Sequence, residues 1–190
     1  MKPTYRVKFR RRREGKTDYR KRLELLKSGK LRAVVRRLNR QTIVQIIEYH
    51  PEGDKTIAGV SSKALEKYGW ISSGNVPTAY LTGLLCGLIA KQKGVNEAIL
   101  DIGRHDKKNK GLFAALKGLL DAGINIPHDP EIIPSEERIS GKIIAEYAKT
   151  LNDFSKQFSE YMRKGFDPRE MDKKFEEVKE KILKEFGGNQ

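Results

Sequence analysis

The chain has 190 residues, 37% of them hydrophobic and 34% charged, and its 39 lysines and arginines against 25 acids give a formal net charge of +14; it can bury a core but must carry much surface, arm or extension besides. The single cysteine excludes a disulfide framework and fits a reducing, intracellular compartment. A charged N-terminus excludes a secretory leader, and the longest apolar run, Ala79 to Ala90, is far short of the roughly 20 residues that cross a bilayer, so a soluble protein with no membrane partner is expected.

The charge is concentrated at one end. Met1 to Arg40 holds 17 lysines and arginines against Glu14, Asp18 and Glu24, a net of +14, while the remaining 150 residues hold 22 of each sign. A neutral body with one basic arm predicts a polyanion bound at that end, and nucleic acid is the expected polyanion. From Thr4 to Arg22 the cations are interleaved with Tyr5, Phe9 and Tyr19, and no apolar face of helix or strand period is present. Such a segment is expected to order on its partner. Arg10, Arg11, Arg12 and Arg13 cannot share one helix face, but in an extended chain they reach phosphates on several sides of a folded RNA. Guanidinium also stacks on bases and forks onto phosphate oxygens, and the interleaved aromatics offer flat surfaces to unstacked bases. A bland polybasic tail for nuclear targeting or a membrane surface fits less well, because the aromatics, Glu14 and Asp18 lie inside the run. DNA fits less well too, since no helix-turn-helix, zinc or zipper pattern occurs.

Leu23 to Leu38 is helix-friendly and is broken into two pieces by Ser28-Gly29. The β-branched stretch Thr42 to Tyr49, the turn-rich His50 to Asp54 and the stretch Lys55 to Ser61 predict an antiparallel hairpin with a loop of about five residues. Asn75 as cap, Pro77 in the first turn and leucines at helical spacing predict a helix to Lys93, stopped by Gly94. Its small residues Gly83, Cys86 and Gly87 are expected to let it lie close against a sheet. Ala98 to Ile102 reads as a buried strand, Gly111 to Ala122 as an amphipathic helix and Ile124 to Ile126 as a short further strand. The strand and helix alternation implies a parallel crossover added to the hairpin. The expected fold is therefore α/β, a compact sandwich with a mixed sheet and packed helices, an extended basic N-terminal arm and a helical C-terminal extension. Its divisions are an arm over 1–40, a body over 41–127, and a linker with helices over 128–190. Ser135 to Tyr161 and Asp167 to Phe186 read as helical, the latter capped by Asp167 with Pro168 and Glu170 following and ended by Gly187-Gly188. Its stripe of Met171, Phe175, Val178, Ile182 and Phe186 needs a cover, from the body or from a neighbouring protein.

Catalytic patterns fail one by one. Gly15-Lys16-Thr17 resembles the end of a phosphate-binding loop, but the glycine required five residues earlier is Arg10. His50, His105 and His128 are isolated, and Cys86 lies among leucines as a packed small side chain. Asp101, at a strand end before Gly103-Arg104-His105, supports one alternative, a nucleic-acid-processing enzyme with its site there. No metal site and no cofactor are expected.

Several blocks carry a resemblance. Tyr5 to Tyr19 (YRVKFRRRREGKTDY), Lys67 to Trp70 (KYGW), Gly74 to Leu85 (GNVPTAYLTGLL), Glu97 to Gly103 (EAILDIG), Phe113 to Gly118, Ile126 to His128 and Pro134 to Ile139 resemble, in this order, the archaeal and eukaryotic large-subunit ribosomal protein that binds 5S ribosomal RNA, called protein eighteen in bacterial naming. The resemblance covers nearly the whole chain. It implies a non-catalytic constituent of the large ribosomal subunit, ribosome-bound in the cytoplasm and present in one copy per ribosome rather than as a homo-oligomer. Its partners would be 5S rRNA, large-subunit rRNA and neighbouring large-subunit proteins in the central protuberance. RNA-binding positions implied for the arm are Tyr5, Arg6, Lys8, Phe9, Arg10, Arg11, Arg12, Arg13, Lys16, Thr17, Tyr19, Arg20 and Arg22. Arg36 and Asn39 follow from a basic motif that this chain matches loosely, and Tyr68, Trp70, Asn75 and Tyr80 stand where the body would meet RNA. For Trp70 a core-closing role competes with stacking on a base; for Asn75 and Tyr80, capping and packing compete with contact. Residues 104–110 (RHDKKNK) depart from the family pattern.

Overall fold

The structure, a computed structural model, describes residues 6–105, 109–151, 153 and 156–187. Its sheet has four strands, β1 (Arg32–Arg37), β2 (Thr42–Glu48), β3 (Lys55–Ser61) and β4 (Ile99–Asp101), in the order β3-β2-β1-β4. The hairpin predicted from the β-branched runs is β2 and β3, with Val44 opposite Val60 and Ile46 opposite Ala58. β1 runs antiparallel to β2 and parallel to β4. The sheet is mixed, and the α/β class is as expected.

β1 itself corrects the sequence reading, which continues a broken helix to Leu38 and assigns this stretch to the arm. Val34 and Val35 are β-branched, and the segment lies between two strand edges, so hydrogen-bond ladders on both sides outweigh a weak helical preference. The predicted strand Ile124 to Ile126 is reduced to an isolated parallel bridge between Glu97 and Asn125. Upstream, Arg10–Arg13 forms one helical turn (α1) and Tyr19–Lys27 a helix (α2), where the sequence predicts an extended chain as far as Arg22. The Asp18 side chain accepts from the amides of Arg20 and Lys21, which supplies the missing N-terminal partners and starts α2 at Tyr19.

Helices α3 (Val76–Gln92) and α4 (Lys110–Asp121) cover one face of the sheet. The Asn75 side chain accepts from the Thr78 amide at 2.9 Å, the cap expected from sequence. Strand side chains alternate between faces, so Ala33, Val35, Val44, Ile46, Ala58 and Val60 form the floor under these helices and are all buried. Of the small residues on α3, Cys86 does meet the sheet, its thiol donating to the Val44 carbonyl at 3.4 Å. Gly83 and Gly87 instead face α4, against Ala115 and Ala122. Enclosed by the sheet on one side and a helix on the other, α3 is apolar nearly all round.

Beyond α4 the predicted helix from Ser135 to Tyr161 is interrupted: α5 (Glu136–Ser140) and α6 (Lys142–Thr150) meet at Gly141, and α7 (Ser159–Arg163) follows separately. Asp167 caps the next turn by accepting from the Arg169 amide, and α8 (Met171–Gly187) completes the described chain; Gly188 lies outside the described residues. The stripe on α8 is covered by the body. Met171, Phe175, Val178 and Ile182 are buried, and the Phe175 ring lies 5.5 Å from that of Tyr80 and 6.3 Å from that of Trp70. Among the described residues no helix is long and apolar enough to cross a membrane.

Candidate nucleic-acid interface

The face of the sheet turned away from α3 carries Arg32, Val34 and Arg36 of β1 with Gln45 and Ile47 of β2, and the arm lies over it. Between arm and sheet is a cleft of about 590 Å³, with Lys21, Arg22 and Leu25 of α2 on one side and Val34, Ile47 and Leu100 on the other. In α1 the four arginines follow each other at about 100° per residue, so their guanidiniums radiate around one turn, and all four are exposed. Arg6, Lys8, Lys16 and Arg20 are exposed as well. Phe9, 76% exposed, stands 5.8 Å from the half-exposed Tyr19 ring. Two local contacts shape the turn between the helices: Arg11 Nε donates to Thr17 Oγ1 at 2.9 Å, and the Lys16 ammonium pairs with Glu14 at 2.8 Å. The arm thus keeps most of its cations in solvent. Tyr5 lies outside the described residues.

Within α1 and α2, Arg22 is the exception, because it is engaged with the body. Its Nη2 donates to both oxygens of Asp54, each at 2.9 Å. Asp54 Oδ2 also accepts from Arg32 Nη2 at 2.6 Å, and Arg32 Nη1 donates to Asp101 Oδ2 at 3.1 Å. Asp101 Oδ1 in turn accepts from Arg36 Nη2 at 3.0 Å and from the Gly103 amide at 2.8 Å. Three arginines and two aspartates therefore alternate from the arm across the open face to the end of β4. Burial works to raise the Asp54 pKa, but the hydrogen bonds and charges of Arg22 and Arg32 carry it below its ordinary value. Gly103 has φ of +61°, and a Cβ there would lie 2.9 Å from the Arg36 guanidinium, so this corner requires glycine.

Asp101 is consequently a structural carboxylate. It is 6% exposed and both oxygens are taken, which overturns the alternative of an enzyme site at this strand end. Among the described residues no group of three or more His, Cys, Asp or Glu is placed to hold a metal ion.

Of the residues expected where the body meets RNA, Tyr68, Trp70 and Tyr80 are turned inward and Asn75 is half-buried. Trp70 is 2% exposed, and its Nε1 donates to Thr78 Oγ1 at 2.8 Å, so of its two competing roles the structure gives it the core. Tyr80 is 3% exposed; its hydroxyl donates to Asp121 at 2.7 Å, and burial followed by that carboxylate raises its pKa strongly. Tyr68 is buried, and burial, then its hydrogen bond to Glu185, pushes its hydroxyl up to about 12. Asn75, besides capping α3, donates to the Tyr161 hydroxyl at 2.9 Å, and that hydroxyl donates to Ser73 Oγ at 3.2 Å. All four side chains are engaged in holding the body together.

Arg36 is similarly spent, its Nη1 donating to the Asp101 and Val35 carbonyls. Asn39, by contrast, is exposed on the turn between β1 and β2. There, Arg37, Leu38, Asn39, Arg40, Gln41 and Lys63 surround an open depression, and among the described residues no carboxylate lines it. Arg37 is fixed by donating to the Gly74 carbonyl and, at 2.7 Å, to Asn109 Oδ1, the side chain that caps α4. Of the residues on this surface the sequence singled out Asn39, and not the cations Arg37, Arg40 and Lys63. Asp54 and Arg32 were missed as well, since a turn aspartate and a strand arginine 22 positions apart carry no local signal of pairing.

Residues 3–99 match the family described as ribosomal large subunit proteins 60S L5 and 50S L18. Among curated relatives, the large ribosomal subunit protein uL18 of Korarchaeum cryptofilum is 58% identical over 183 residues, which is 94% of each chain.

Proposed function

The chain belongs to the family of ribosomal large subunit proteins, and on that premise we propose that it binds 5S rRNA through its arm and helps attach that RNA to the large rRNA in the central protuberance. As a member of the family it is a structural, non-catalytic constituent of the large subunit, ribosome-bound in the cytoplasm. The observation that carries the proposal is the placement of the charge. Arg10 to Arg13 radiate, exposed, from one turn held over a body whose charges balance. A turn of guanidiniums spread through several directions suits the irregular backbone of a folded RNA better than the straight groove of a duplex. A second cationic surface, where Asn39 and Arg40 of the β1–β2 turn meet Lys63 just beyond β3, supports a further RNA contact, with large-subunit rRNA. Neighbouring large-subunit proteins would adjoin the outer faces of the C-terminal helices, and one copy serves each ribosome.

Purifying the protein from its native cells at low salt and sequencing the accompanying RNA tests this reading. Recovery of 5S rRNA as the dominant species supports it. Recovery of messenger or transfer RNA in its place would overturn it.

A further inference from the structure

The ion pair between Arg22 and Asp54 joins the arm to the rest of the molecule, and we infer that Asp54 is a positioning residue for RNA binding, holding α2 on the open face of the sheet before RNA arrives. The inference rests on the RNA-binding function proposed above. Among the described residues, Arg22 with Asp54 is the ion pair that links residues 6–27 to the body; Arg10 and Lys16 pair with Glu14, inside the arm.

An ion pair between two mobile surface side chains contributes little, because ordering both offsets the attraction. Here one partner is already ordered. Asp54 is held at 2.6 Å by Arg32, whose side chain is 3% exposed and is itself anchored on Asp101. Of the two partners only Arg22 has freedom to give up on pairing, and its Nη2 meets both carboxylate oxygens at 2.9 Å. Leu25, one turn further along α2, is half-buried and faces Val34 and Ile47 across the cleft. An arm fixed at Arg22 presents α1 from a stationary base, so the ordering that RNA would otherwise impose has already been made. Arg22 is thereby moved from the RNA-contacting set to the supporting one.

The test uses the full-length protein and a 5S rRNA transcript. Asp54→Asn removes the charge but no cation of the arm. Limited trypsin digestion of the free protein should cleave between Arg10 and Arg22 faster in this variant than in the wild type. Affinity for the transcript should fall about three- to tenfold, as expected when the competent arrangement becomes a minor one, with an unchanged slope of log affinity against log salt. Asp54→Glu should restore part of the affinity. Because Asp54→Asn also leaves Arg32 with one carboxylate, Arg22→Gln serves as the second variant: it keeps Asp54, Arg32 and Asp101 together and should release the arm equally. Equal cleavage rates in the wild type and both variants, or unchanged affinity once the arm is released, would overturn the inference. If the wild type shows no preference for 5S rRNA, the proposed function falls instead, and the digestion alone still decides whether Asp54 holds the arm.

Discussion

Gly83 of α3 lies against the main chain of α4 at Ala115, so closely that a Cβ on Gly83 would stand 2.1 Å from the Ala115 carbonyl oxygen. The approach is mutual, since a Cβ on Gly118 would stand 2.3 Å from the Tyr80 carbonyl oxygen. The two helices cross with backbone against backbone. Gly83→Ala should gain about 1 kcal/mol of helix propensity and lose more than that, about 3 kcal/mol or above, because no flexible side-chain tip can move aside. Urea denaturation of the two proteins checks this, and a variant as stable as the wild type would show that α3 and α4 can separate freely.

Trp70→Phe should lower stability by about 1 to 3 kcal/mol, from the lost hydrogen bond to Thr78 and the smaller ring beside Phe166 and Phe175. Affinity for RNA, measured well below the unfolding temperature, should not change. The fluorescence of this single tryptophan offers a direct control: adding 5S rRNA should leave it unquenched. Quenching by contact with a base would return Trp70 to the interface.

In the arm, exchanging Arg10, Arg11, Arg12 and Arg13 for lysine keeps the charge and removes the planar fork. The loss on 5S rRNA should total about 2 to 4 kcal/mol, less than the sum of four separate losses, with little change on unstructured RNA. Phe9→Ala and Tyr19→Ala should each cost a further 1 to 3 kcal/mol or so wherever a base is stacked. Titrations on both RNAs at several salt concentrations supply the comparison, and the wild type should give a slope of roughly −5 to −9 in log affinity against log salt. Equal losses on the two RNAs would reduce the arm to an electrostatic tether.

Acid should weaken the protein through Asp54. Its pKa in the folded state lies below the ordinary 3.8, so its stabilising contribution is complete above that ordinary value and is lost as pH falls through the folded one. The stability difference between the wild type and Asp54→Asn should therefore be constant from neutral pH down to about pH 5 and shrink below about pH 4. Denaturant midpoints of both proteins across that range read the difference. A gap that widens on acidification would mean that the carboxylate is not favoured by its two arginines.

The helix-capped and β-branched parts of the fold were legible in the sequence because their signals are local. Asn75 followed by Pro77, Asp167 followed by Pro168, and the two runs around His50 to Asp54 each specify their element within a few residues. β1 was not legible, because Arg32 to Arg37 becomes a strand only once β2 and β4 lie on either side of it. At the site, the sign and position of the arm could be read from charge alone. The inward turn of Trp70 and Tyr80 and the engagement of Asn75 could not, since an aromatic or amide with two competing roles is assigned by what packs around it, here Phe175 and Tyr161. The latch at Asp54 is a pairing across 32 positions, and no spacing rule marks it.

Phe175, which closes the aromatic cluster over Trp70 and Tyr80, is made long after them. Trp70 and Phe175 are 105 positions apart, a gap that translation at about 5 to 20 residues per second takes on the order of 5 to 20 seconds to cross. During that interval a growing chain carries a finished polycationic arm and an unfinished apolar pocket. Release before Met171 would leave a product with its whole cationic arm while its aromatic surface stays open to other nascent chains. Completion of α8 therefore separates a molecule with a closed aromatic cluster from one that carries the same cationic arm beside an open apolar pocket.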